Sequence, residues 1–320
     1  MPEHTIDMAK TTGQVEPLRG GPGGHRRLDL MPYGLLLPSM IVLAVLLLYP
    51  IARAFLTSLG RHVLFRPQAT RAFIGLDNYA YILSDSRTWH SLYLAALYSV
   101  VVVGGSMLIG LATALAVRRP FRGRAFYRMA IIIPWVVPPV ATSLVWSWML
   151  DYQFGVVNHL LRAAHLISAP IGWLTTTQWA MPSMFLVGIW KMYPIASVML
   201  LAGLQSIPDE LYEAAKIDGA NRFDGFRHVT LPGLKPVYGI LALLLTLWSF
   251  KAFTYIYIMT GGGPSQATET AVVLVYLQAF KFFDFGVASA LGIVMLLILV
   301  VFTIVYMKLV YGGVGPESRA

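Results

Sequence analysis

Six stretches of this chain, at about 33–58, 90–117, 125–149, 180–204, 236–259 and 285–310, are apolar for long enough to cross a bilayer. Roughly 20 apolar residues at helical rise span the ~30 Å of hydrocarbon. In lipid a backbone must satisfy its own polar groups, so each stretch is expected as helix. A mean hydropathy of +0.66 and only 12% charged residues agree with lipid as the main solvent. The fold class expected is an all-α membrane protein with six transmembrane helices. With no cysteine, disulfides and cysteine-based zinc, iron–sulfur and thiol chemistry are excluded. The formal charge of +9 is scattered between apolar runs and forms no basic, aromatic-rich patch, so no nucleic-acid partner is expected.

The basic residues orient the chain instead. With the amino terminus cytoplasmic, the cytoplasmic segments hold Lys10, Arg19, Arg26, Arg27, Arg118, Arg119, Arg122, Arg124, Arg128, Lys216, Arg222, Arg227, Lys235, Lys308 and Arg319. The outer loops hold Arg61, Arg66, Arg71, Arg87, Arg162 and Lys281. Fifteen against six satisfies the positive-inside rule. Residues 1–30, polar and rich in Gly and Pro, read as a disordered cytoplasmic tail, and 31–320 as the membrane domain. The first apolar run is long enough to span, which favours a retained helix over a cleaved leader.

Two spans carry unusual residues. Pro134, Pro138 and Pro139 kink the third and free backbone carbonyls, so it is expected inside the bundle where other helices cover them. Gly104, Gly105 and Gly110 in the second allow close helix packing.

Between the fourth and fifth spans lies a charged run, Asp209 to Pro232, with five acids, three basic side chains and one histidine. It reads as two short helices with a hinge. Ser206 caps the first, Pro208 suits its first turn, and Asp209, Glu210 and Glu213 lie near the positive end of its dipole. Gly219 supplies a left-handed stop. A second helix passes through Phe223 and Phe226 and ends at Leu231-Pro232. The net negative sign suits a protein groove better than anionic headgroups.

Within this run, "EAAKIDGANRFDGFRHVTLP" resembles the EAA signature of membrane subunits of bacterial ABC importers. Glu213, Ala214, Ala215, Gly219, Val229, Leu231 and Pro232 occupy its fixed positions. From about residue 30 onward the chain is most similar to the maltose-type permeases of carbohydrate importers, with "WKMYP" (190–194) and "YIMTGGGPSQATET" (257–270) in support. The resemblance implies a type I ABC importer permease (MetI-like) bundle in the bacterial inner membrane. It also implies that segment 206–232 is a coupling helix seated in a cleft of a dimeric nucleotide-binding ATPase, with Glu213, Ala214, Ala215, Asp218, Gly219, Phe223, Leu231 and Pro232 as contacts. A second permease subunit, as a heterodimer, and an extracytoplasmic solute-binding protein complete the implied assembly. The binding protein faces the outer turn of Gly261, Gly262, Gly263 and Pro264.

By the same resemblance, Gly188, Met192 and Ile195 in the fourth span, Trp248, Ser249 and Ala252 in the fifth, and Thr142 in the third match positions lining a sugar pathway. Lys191 and Lys251 lie within spans, where a charge costs about 2.5–3.5 kcal/mol, so both should face protein or water. Either they contact substrate, or they snorkel or pair with a second subunit. No GxxxxGK[ST] loop is present, so ATP and magnesium belong to the partner ATPase and this chain is no enzyme. His90, His159 and His165 lack metal-ligand spacing and no GxSxG occurs, which disfavours a membrane enzyme. An ion-gradient carrier is the other transporter reading, and a glycerol-phosphate or other anionic solute the alternative cargo. The first is disfavoured by the absence of a deep carboxylate.

Overall fold

The computed structural model describes residues 31–63, 72–118 and 120–312. The expected tail, with Lys10, Arg19, Arg26 and Arg27, and the basic residues Arg66, Arg71, Arg119 and Arg319 lie outside them. The chain divides into two units, Met1–Pro50 and Ile51–Ala320.

In the first unit, helix α1 (Met31–Leu43) runs into a π turn (Ala44–Leu48). Helix α2 (Tyr49–Ser58) follows in sequence and crosses the boundary between the units, and Leu35–Ser58 is long and apolar enough to cross a membrane. The π turn has a local cause. Pro50 has no N–H for the i→i−4 ladder, and Tyr49 just ahead of it donates to Ala44 O, a wider i→i−5 bond.

In the second unit a short hairpin, β1 (Gly60–Arg61) with β2 (Ala72–Phe73), pairs Gly60 with Phe73. Then come α3 (Asp77–Ser84) and α4 (Ser86–Arg118). The third span follows as α5 (Arg124–Val136) and α6 (Pro139–Met149), bent by 95° at the break. The prolines therefore break this span rather than merely kink it. Ile131 and Pro134 of α5 are buried, whereas Ile132, Ile133, Trp135 and Val136 are exposed in this single chain.

Helix α7 (Val156–Ala163) precedes α8 (Thr177–Gln205). The charged run forms α9 (Asp209–Ile217) and α10 (Arg222–Gly225). A second π turn (Phe226–Thr230) joins α10 to α11 (Leu231–Phe250). Leu231-Pro232 thus does not end the helix. Leu231 donates to Phe226 O, so the ladder again widens by one residue just before a proline and carries on.

The fifth span does break, at Lys251–Phe253, before α12 (Thr254–Thr260). An apolar helix α13 (Ala271–Phe280) and the last span α14 (Phe285–Tyr311) close the chain. Among the described residues five helices are long and apolar enough to cross, six if the bent pair is one span. Helices α3, α7 and α13 are too short to register as spans and were not anticipated.

The core lies between α4, α8, α11 and α12, around the fully buried Tyr98, Met184, Leu200, Leu241, Leu245 and Ile256. A smaller cluster of Ile82, Leu274, Val287 and Leu291 ties α3, α13 and α14 together. Glycine makes the α4–α8 contact possible. A Cβ at Gly110 would lie 2.7 Å from Ala196 Cβ and 2.9 Å from Ser197 N, whereas Gly104 faces open space. Gly104 is therefore not a packing glycine. Gly110→Ala is expected to destabilise by about 1–3 kcal/mol through overpacking, seen as a lower thermal unfolding midpoint of the solubilised protein. Gly104→Ala should leave the midpoint unchanged or slightly raised.

Candidate functional site

The charged run folds into an elbow strapped to the membrane helices. Pro208 takes an extended conformation that admits α9, whose first turn holds Asp209 and Glu210 and whose last holds Lys216. Ser206 does not cap this helix. It terminates α8 instead, its hydroxyl donating to Gly203 O at 2.9 Å. At the other end Gly219 adopts φ +83°, a left-handed stop, and Ala220 N–H closes back on Ala215 O at 2.9 Å. Asn221 then opens α10 with a reciprocal cap. Its Oδ1 accepts from Phe223 N and Asp224 N, and its own N–H donates to Asp224 Oδ2 at 3.2 Å.

Tyr212 fastens the elbow. Its hydroxyl meets Thr230 Oγ1 at 3.0 Å, and the Arg118 guanidinium at the end of α4 lies 4.4 Å from its ring centre. Arg118 also approaches Asp209 Oδ1 at 3.5 Å. Behind the elbow is a cavity of about 340 Å³, bordered by Arg118, Tyr212, Ala215, Lys216, Asn221 and Phe226 among others. Outward, the elbow presents Glu213, Ala214, Asp218, Ile217 (87% exposed) and Phe223 (67% exposed), with Leu231 and Pro232 exposed beside them. Ala215 faces the cavity, so of the two alanines only Ala214 lies on the open surface.

The expected pathway residues are distributed less evenly. Gly188 lies against the Tyr98 hydroxyl where α4 and α8 cross, and Met192, Ile195 and Ala252 join the same core cluster. Ser249 is buried with its hydroxyl donating to Leu245 O at 2.8 Å, and Thr142 is buried on α6. Trp248 is partly exposed and Lys251 is exposed at the break after α11. Aromatic neighbours missed from the sequence flank Gly188: the Tyr98 ring lies 6.1 Å from Phe185 and 6.4 Å from Tyr255. Lys191 is buried at the middle of α8 and donates to the carbonyls of Pro134 (2.9 Å), Trp135 (3.1 Å) and Val137. Among the described residues no cluster of His, Cys, Asp or Glu is placed to hold a metal ion.

The turn at 261–264 lies beyond α12, at the end of the membrane helices opposite the elbow. Gly261 and Gly262 have φ +63° and +94°, and Thr268 Oγ1 donates to Gly263 O at 2.9 Å while meeting Thr260 Oγ1 at 2.6 Å. Glu269 anchors the turn through a two-pronged ion pair with Arg87, at 2.6 and 2.7 Å. That pair bridges 182 positions of sequence, so no local signal foretells it. The pair leaves Ser265 and Gln266 exposed on a fixed loop. Because Glu269 is 4% exposed, Arg87→Ala would strand a buried carboxylate and cost about 3 kcal/mol. Thermal unfolding should show this drop, and the Arg87→Met, Glu269→Gln pair should lose less than the two single changes combined.

Residues 106–311 match the family model described as binding-protein-dependent transport system inner membrane component. The chain is 37% identical over 276 residues to the trehalose/maltose transport system permease protein MalF of Thermococcus litoralis, covering 86% of this chain and 92% of that one. It is 34% identical to the sulfoquinovosyl glycerol transport system permease protein SmoG of Agrobacterium fabrum, covering 86% and 89%. The fold matches a chain in the crystal structure of a bacterial ABC transporter for the acidic polysaccharide alginate, with a TM-score of 0.76 and 21% identity over 89% of this chain and 96% of that one. The chain therefore belongs to the inner membrane components of binding-protein-dependent transport systems, as a multi-pass, non-catalytic permease subunit of an ABC importer.

Proposed function

We propose that this permease carries a mono- or oligosaccharide, or a sugar derivative, across the cytoplasmic membrane by alternating access. It works with a second, different permease and a dimeric ATPase that holds ATP and magnesium. The observation that carries the coupling part is the elbow: a strapped, charged surface from which Ile217 and Phe223 project into solvent. Large apolar side chains on an otherwise charged knob mark a docking surface. A groove on the ATPase is the occupant that fits. Glu213 adds a charge-assisted contact, and Ala214 lets the helix approach closely. Closure of the nucleotide-bound dimer draws two such elbows together and turns the spans behind them, a rigid-body transition.

The carbohydrate assignment rests on the named cargo of the relatives, trehalose/maltose and sulfoquinovosyl glycerol. The route is lined by Trp248, Ser249 and Ala252 with Gly188, Met192, Ile195 and Thr142, completed by the second permease. Lys251 is the exposed cation available to an anionic derivative. The fixed loop around Gly261–Pro264 receives the solute-binding protein outside and the elbow meets the ATPase in the cytoplasm; the cytoplasmic side proposed for the amino terminus rests on the distribution of Lys and Arg.

In liposomes holding the full assembly, uptake is expected to require ATP and the binding protein; uptake driven by a proton or sodium gradient without the ATPase would refute the reading. Proline cannot adopt the φ of Gly219, so Glu213→Lys combined with Gly219→Pro should reduce substrate-stimulated ATP hydrolysis to its basal level with membrane insertion intact. Stimulation at the parent level would remove the elbow from the mechanism. A thermal-shift screen of sugars, uronates and glycerol phosphates against the binding protein would name the cargo.

A further inference from the structure

Lys191 occupies the middle of a membrane span, where a cation invites the assumption that it meets substrate. Its surroundings give it other work. In α5 the carbonyls of Pro134 and Trp135 would be bonded by the N–H groups four residues on, at positions 138 and 139. Both of those residues are prolines and have none. Val137, extended at φ −57° and ψ 128°, lies between the two helices and its carbonyl belongs to neither ladder. These are the three oxygens that the Lys191 ammonium binds. An ammonium has three N–H donors and no acceptor, so three carbonyls use all of them and none remains for a ligand.

We propose that Lys191 is a positioning residue: it latches the 95° elbow of the third span to the middle of α8, and it does not select substrate by charge. The latch rests on the transporter reading for its consequence. Helix α8 leads through Ser206, Ile207 and Pro208 directly into the coupling elbow. A displacement of that elbow reaches α8 first and passes through Lys191 to α5 and α6. Without the latch the broken span is free to pivot, and cargo of either charge is moved slowly.

The test is made in proteoliposomes of the complete transporter with its loaded binding protein, comparing Lys191→Gln and Lys191→Met. Glutamine keeps two donors and no charge; methionine keeps neither. The maximal uptake rate should fall in the order Lys, Gln, Met, by about ten- to a hundredfold for Met, with the half-saturating concentration of loaded binding protein unchanged. A lost charge contact would instead damage Gln and Met equally and raise that concentration with the rate preserved; either of those results, or parent-like behaviour of the Met variant, overturns the proposal. If the Met variant does not assemble, the rate-against-saturation split in the Gln variant decides.

A second measurement stands apart from transport. The chain has no cysteine, so spin labels at Met129→Cys and Val145→Cys, on exposed sites of the two arms, report the elbow angle alone. One narrow distance distribution is expected with Lys191 and a broadened one in the Gln and Met variants; equal widths overturn the latch. Should the parent assembly show no ATP-driven uptake, the transport reading fails while this distance still tests Lys191.

Discussion

In hydrocarbon a backbone carbonyl with no donor costs several kcal/mol, and the remaining structure is arranged around that constraint. Three kinds of place show different ways in which the chain meets it. Where one proline follows a helical run, at Pro50 and Pro232, the ladder widens to a π turn ending just before it. Where two prolines adjoin, at 138 and 139, one π turn cannot supply both missing donors. The helix breaks there and Lys191 supplies them from outside. At Lys251–Phe253 the helix ends without proline, and Ala252 N–H turns back to Ser249 O at 3.0 Å. A charged side chain in a span is thus explained by backbone chemistry without invoking cargo.

This has a mechanical counterpart. Helices α4 and α8 meet so closely at Gly110 that no side chain fits between them, and Thr113 Oγ1 donates to Ser197 Oγ at 2.9 Å in the same region. With α5 bound to α8 through Lys191, these three helices form one packed body. The two ends of α8 are also fixed. At its start, buried Asn158 receives the Trp173 indole at 2.9 Å and bonds both the N–H and C=O of Ile171, and its last turn adjoins the elbow.

Much of this was legible in the sequence, for reasons that differ by element. The spans were readable because hydrocarbon thickness sets their length, and Gly219 because its position requires positive φ. The Asn221 cap was present as an Asn three residues before Asp224 and was overlooked. Leu231-Pro232 misled because a proline normally ends a helix, whereas a π turn absorbs it here. The third span misled in a related way. Prolines correctly foretold freed carbonyls, but the covering group is the side chain of one lysine 54 to 57 positions away. Arg87–Glu269 and Tyr212–Arg118 could not be seen at all, since each joins segments that meet only once the helices pack.

What stiffens the elbow can be decided by magnitude. The Arg118–Asp209 ion pair is 3.5 Å long and Asp209 is 90% exposed, so it contributes little beyond a few tenths of a kcal/mol. The Tyr212 hydroxyl and ring engage Thr230 and Arg118 from a half-buried position, and together they contribute about 1–2 kcal/mol. Tyr212 is therefore the dominant strap. It lies on α9 between Asp209 and Glu213, and it reaches both the end of α4 and the residue that opens α11. One aromatic side chain thus ties α9 to two membrane helices at once, while Ile207 and Pro208 join it to the third. The strap is aromatic and does not depend on the acids of the outer face.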